Sequence, residues 1–106
     1  MPPDDPYPPR IDIAFLLNNN RVSFTQSARR HRIGRARVVS VLGMHPYVEI
    51  VQRDRSRLLW VGTDWTGRLL EVIAVKEGQR LIVIHAMDAR TKVMRLYARG
   101  VEHGTT

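Results

Sequence analysis

Read from its amino end, the chain shows no patterned apolar positions until Ile11. A short apolar run, Ile11 to Leu17, follows, and three asparagines, Asn18 to Asn20, close it with a turn. That run is too short to separate strand from helix. From Ser23 the spacing becomes helical. Ser23 or Thr25 can cap a short helix through about His31, Ile33 anchors a turn, and Gly34 opens a second helix that ends at Gly43. In the second helix Val38 with Val41, and Val39 with Leu42, recur at helical spacing, which leaves Arg35 and Arg37 to face elsewhere. The pattern predicts a helical hairpin.

After Pro46 the apolar positions become extended. Tyr47 to Val51, Arg57 to Thr63, Arg68 to Val75 and Arg80 to Ala86 are rich in Val, Ile, Leu and Trp and predict four sequential strands. The intervals Asp64-Trp65-Thr66-Gly67 and Lys76-Glu77-Gly78-Gln79 each hold a glycine in four residues, as hairpin loops do, so the strands should form an antiparallel meander. With Thr63 opposite Arg68 and Val75 opposite Arg80, alternation puts Leu59, Val61, Leu70, Val72, Ala74, Leu81, Val83 and His85 on one face. Leu58, Trp60, Leu69, Glu71, Ile73, Ile82 and Ile84 fall on the other. Asp88 then caps a final helix that Gly100 stops, with Ala89, Val93, Leu96 and Tyr97 as its apolar stripe. The predicted class is α+β: an N-terminal helical hairpin, a four-stranded antiparallel meander and a C-terminal helix. It forms one domain over residues 11–100, with a flexible proline-rich arm at 1–10 and a tail at 101–106.

Composition narrows this picture. A chain of 106 residues has room for one core, and 43% hydrophobic with 25% charged residues is the balance of a globular domain. The formal charge is +7, carried by fifteen arginines and two lysines. Arginine's planar fork matches phosphate and carboxylate, although GC-rich coding also favours it. From Ile13 to Val48 no acidic residue occurs, while Arg21, Arg29, Arg30, Arg32, Arg35 and Arg37 all do. A polyanion, RNA first, is the partner this asymmetry suggests. The absence of cysteine removes disulfides, thiolate nucleophiles and zinc ribbons. No apolar run reaches the roughly 18–20 residues of a membrane span, and the acidic, proline-rich start is unlike a secretory leader, so the expected location is cytoplasmic and away from membranes.

Metal-free cleavage of RNA needs a base for the 2′-hydroxyl, an acid for the leaving 5′-oxygen and cations for charge growing on phosphoryl oxygens. His85 ends an apolar strand just before a helix start and is the candidate acid or base, with Arg57, Arg68 and Arg90 as candidate cations. Glu71 is the other possible base, but the pairing above points it away from His85. Arg29, Arg30, His31, Arg32, Arg35 and Arg37, with Trp65 and Lys92, are candidate nucleic-acid contacts, Trp65 through base stacking. Trp60 reads better as core. The four histidines are scattered and no carboxylate cluster accompanies them, so neither a metal nor another cofactor is expected.

The element order and several segments resemble the BrnT-like and RelE-like ribonuclease toxins of bacterial toxin–antitoxin pairs, over roughly Val22 to Tyr97. Arg29-Arg30-His31-Arg32-Ile33 before a second helix is similar to the helical hairpin that begins those domains. Arg57-Leu58-Leu59-Trp60-Val61-Gly62 is similar to the strand in which an arginine shortly precedes a Val/Ile-Gly pair, and Gly67-Arg68-Leu69-Leu70 to the next turn and strand. Ile82-Val83-Ile84-His85-Ala86-Met87 resembles a final strand that in the family reads Ile-Ile-Ser-Ala-Arg, so its serine falls on His85 and its arginine on Met87, with Arg90 one helical turn away as a replacement charge. The resemblance implies a metal-independent endoribonuclease restrained by a cognate antitoxin, whose acidic segment would cover the arginines meant for RNA, in a hetero-oligomer. Two other classes remain open: a non-catalytic basic nucleic-acid-binding module, and a protein-interaction subunit that docks through an apolar sheet face.

Overall fold

The computed structural model describes residues 11–104, and the expected arm at 1–10 lies outside them. Asp12 accepts a hydrogen bond from the Phe15 amide (3.0 Å) and starts a short helix, α1 (Ile13–Asn18). Next come β1 (Val22–Phe24), a 3-10 turn (Ser27–Arg29) and α2 (Arg35–Met44). The rest is β2 (Val48–Gln52), β3 (Arg55–Thr63), β4 (Leu69–Glu77), β5 (Arg80–Asp88) and α3 (Thr91–Gly104). The sheet order is β1-β5-β4-β3-β2. The α+β class and the antiparallel run β2 to β5 agree with the sequence pattern. No helix among the described residues is long and apolar enough to cross a membrane.

The N-terminal half differs from the expected helical hairpin. Val22-Ser23-Phe24 pairs in parallel with Leu81-Ile82-Val83, making a fifth, edge strand. Thr25 caps only the 3-10 turn, its hydroxyl accepting from the Ala28 amide. A three-residue strand is too short to show a period, and its partner lies almost sixty residues away. Beyond Val83, where β1 has ended, the 3-10 segment packs along β5 in its place.

The two sheet faces also differ from expectation. Thr63 pairs with Leu69 and not Arg68, since Asp64 to Arg68 form a five-residue loop, and that one-residue change exchanges the faces of β4 relative to β3. Leu58 and Trp60 consequently lie with Leu70, Val72, Ala74, Leu81 and Val83 in the larger core beneath α1 and α2. Leu59 and Val61 pack on the opposite face against α3 through Val93, with Ile73 and Tyr97 beside them. The last hairpin is tighter than expected: Glu77 pairs with Arg80 across Gly78 and Gln79, and Gly78 takes the φ of +58° that this turn needs.

Gly100 does not stop α3, which runs through it to Gly104. A Cβ at position 100 would overlap Val48 Cγ1, so the glycine is where the helix lies closest to β2. Alanine there gains about 1 kcal/mol of helix propensity but must push α3 off β2. Gly100→Ala should therefore lower unfolding free energy by about 1–3 kcal/mol net, read in urea denaturation. A more stable variant would show that this helix does not seat on Val48.

Candidate active site

The site begins with an irregularity in β5. From Glu77↔Arg80 to Ala74↔Val83 the β4–β5 register is regular; it then steps, so that Ile73 pairs with His85 and Ile84 is the extra residue. Without the bulge His85 would oppose Val72 and point into the core beneath α2. With it, His85 turns to the face that holds Ile73 and, two residues along β4, Glu71. This corrects the expectation that Glu71 points away from His85. His85 Nε2 lies 2.8 Å from Glu71 Oε2.

Glu71 has no exposed surface, an unusual place for a carboxylate within an apolar strand. Four donor groups compensate it. The Arg90 amide donates to Oε1 (2.8 Å), Arg90 Nε to Oε1 (3.1 Å), Arg90 Nη2 to Oε2 (2.8 Å), and His85 Nε2 to Oε2. Burial alone pushes the Glu71 carboxyl up, but hydrogen bonds from the Arg90 side chain and backbone and from His85 outweigh it and hold it below the ordinary range. An ionised carboxylate only accepts, so His85 Nε2 carries a proton, and in the neutral ring the lone pair is then on Nδ1. The same bonds fix the entry to α3, because the Arg90 carbonyl accepts the first helical bonds, from Val93 and Met94. Asp88 is thus the last residue of β5 and not the helix cap.

A second ion pair lies at the same end of the sheet but on its other face, because Asp88 pairs with Leu70, which points into the larger core. Arg68 Nε and Nη2 donate to the two oxygens of Asp88 at 2.7 and 3.1 Å. Arg68 is placed by its loop, whose buried Asp64 accepts from the Thr66 and Arg68 amides and from Arg37 Nη1 at 2.6 Å. Burial pushes the Asp64 carboxyl up; hydrogen bonds from Thr66, Arg37 and the Arg68 amide overcome it, so the carboxyl lies well below its usual range. On the other side, the 3-10 segment brings the His31 ring edge to face against His85, with centroids 6.2 Å apart. His85 is one-quarter exposed and Arg90 nearly half, so the cluster has a buried carboxylate floor and an open rim.

On the other face of the sheet Arg68 holds Asp88; of the sequence candidates, His85, Arg90 and His31 are brought together. Arg57 is not. It shares the α3 face, but stands four residues, about 13 Å, along β3 from Val61, the partner of Glu71. Arg35 and Arg37 are occupied: Arg35 donates to Val22 O and Asn20 Oδ1 and lies over the Phe24 ring, while Arg37 holds Asp64 and lies 5.2 Å from the Trp65 ring centre. Trp65 is 59% exposed at the β3–β4 turn, and Trp60 is fully buried as expected. Arg29, Arg30, Arg32 and Lys92 are exposed and make no ion pair among the described residues. Sequence reading undervalued Glu71 and overlooked Asp88 as an arginine partner. The available signal was a lone carboxylate between Leu70 and Val72 in an otherwise apolar run.

Among the described residues no group of three or more His, Asp or Glu side chains is arranged to hold a metal ion. A cavity of ≈ 700 Å³ opens elsewhere, lined by Ile13, Leu17, Leu42, Tyr47 and Val101 among others, and no residue of the cluster contributes to it. Its polar lining includes Asp12, His45 and Glu49, but His45 Nε2 bonds the Thr63 carbonyl, Asp12 caps α1 and Glu49 accepts from Ser56, so the carboxylate–imidazole pair of Glu71 and His85 is the stronger candidate. No family model, curated protein or solved structure matches the chain.

Proposed function

We propose that the protein is a metal-independent endoribonuclease, the toxin of a toxin–antitoxin pair. One observation carries the reading: a fully buried, ionised Glu71 fixes the tautomer of a partly exposed histidine, leaving His85 Nδ1 as a proton acceptor. A carboxylate that orients an imidazole and steadies its charged form is the arrangement of a general base. The 2′-hydroxyl of RNA is a substrate group that such a base can activate. Arg29, Arg30 and Arg32, which make no ion pair among the described residues, supply exposed positive charge on the segment that carries His31. The same three side chains would suit an acidic antitoxin segment, so inhibitor and RNA would compete.

A non-catalytic nucleic-acid-binding module is favoured by a different observation: both Arg68 and Arg90 already hold carboxylates, which leaves less charge for a transition state. Cleavage separates the two readings. Single-stranded RNA incubated with the purified protein and excess chelator is expected to yield fragments with 2′,3′-cyclic phosphate and 5′-hydroxyl ends. RNA that is bound but stays intact would decide for the binding module.

A further inference from the structure

A histidine base leaves open what protonates the departing oxygen, and the nearest candidate is the ring already in contact with it. His31 stands edge to face with His85, the planes at 73°. It is exposed and makes no hydrogen bond among the described residues, so its ring nitrogens are open to a ligand. Arg30 and Arg32 flank it, and Arg32, beyond the end of the 3-10 segment, holds a left-handed backbone (φ 57°) on the way to α2. Glu71 takes the His85 proton donor; Asp88, whose carboxyl is held low first by the Arg68 hydrogen bonds, is close enough to His31 for that ring's charge to contribute.

Resting on the ribonuclease reading above, we infer that His31 is the general acid and His85 the general base of one transesterification. The 2′-oxygen forms a bond to phosphorus while its proton passes to His85 Nδ1. The bond from phosphorus to the 5′-oxygen breaks, and that oxygen takes a proton from His31. The products are a 2′,3′-cyclic phosphate and a 5′-hydroxyl. His85 ends protonated and His31 neutral, with no net proton, electron or water consumed; exchange with solvent restores both. With their centroids 6.2 Å apart, the two rings are spaced so that one phosphodiester can span them, its 2′-oxygen towards His85 and its 5′-oxygen towards His31.

The assignment is tested with a leaving group that needs no proton. An RNA oligonucleotide with a 5′-bridging sulfur at one phosphodiester is compared with its all-oxygen twin, using the full chain. His31→Ala is expected to cut the oxygen substrate about 10²- to 10⁴-fold more slowly than wild type and the sulfur substrate at close to the wild-type rate. His85→Ala should be slow on both. His31 lies on the surface, and circular dichroism checks that its variant is folded. Equal losses on the two substrates would make His31 a phosphate contact and overturn the inference, leaving the ribonuclease reading standing. Wild-type speed on the oxygen substrate would overturn it too. A wild-type protein that cuts neither substrate would remove both.

Discussion

His85→Ala is expected to slow RNA cleavage by about 10²- to 10⁴-fold while RNA affinity stays near that of wild type. A general base at this position would touch the reacting oxygen only as its proton leaves, so its loss would fall on the chemical step and not on binding. Folding should tolerate the change, since the ring is partly exposed and Arg90 continues to satisfy both oxygens of Glu71. The informative contrast is a variant in which Arg29, Arg30 and Arg32 are all replaced by alanine. Those side chains make no ion pair among the described residues and can act only at long range or on phosphates. Their loss should weaken affinity and flatten its salt dependence by about 0.7 log units per log unit of salt for each phosphate contact removed. Cleavage at saturating RNA should change little. Single-turnover rates and equilibrium titrations at several salt concentrations measure both. A His85→Ala protein that cuts as fast as wild type would end the case for a base at this position.

The elements that were legible in the sequence are those whose signal is local. The four strands from β2 to β5 show extended apolar runs, and the turn residues between them carry glycines at positions 67 and 78 with positive φ. The site was legible only in its parts. His85 stands out as a polar residue ending an apolar strand, and Arg68 and Arg90 are visible as basic residues at element ends. What joins His85 and Arg90 through Glu71 is not local. Whether His85 faces the core or Glu71 depends on a single extra residue, Ile84, in the β5 ladder, and sequence offers no period by which to see a bulge. His31 reaches the site because β1 pairs with β5 and swings the following segment along the same strand, a parallel contact that no hairpin signal announces. The charge reading was right about excess and too generous about use. Arg35 and Arg37 sit in the acid-free stretch, yet their guanidinium groups pin Asn20, the Val22 carbonyl, Asp64 and Thr66.

Glu71→Gln should nearly abolish cleavage in a folded protein, and it separates the two tasks of this carboxylate. A glutamine has the same shape and can still accept the Arg90 amide through its carbonyl oxygen. Its amide nitrogen, however, now faces His85 Nε2 as a donor. The imidazole must then accept at Nε2 and place its proton on Nδ1, where the lone pair needed for the 2′-hydroxyl had been. The expected loss is about 10²- to 10⁴-fold in the chemical step. Glu71→Ala goes further, because the Arg90 amide at the start of α3 loses its acceptor; it should cost about 2–3 kcal/mol of stability. The pH dependence gives an independent check. The folded carboxyl lies below its reference value of 4.5, so its contribution is fully present above that pH and fades as pH falls through the lower folded value. The stability gap between wild type and Glu71→Gln should therefore be constant near neutrality and close on acidification below about 4.5, as followed by urea denaturation across pH. A gap that widens in acid would mean that Glu71 is held protonated, and an uncharged carboxyl could not orient His85 as a base.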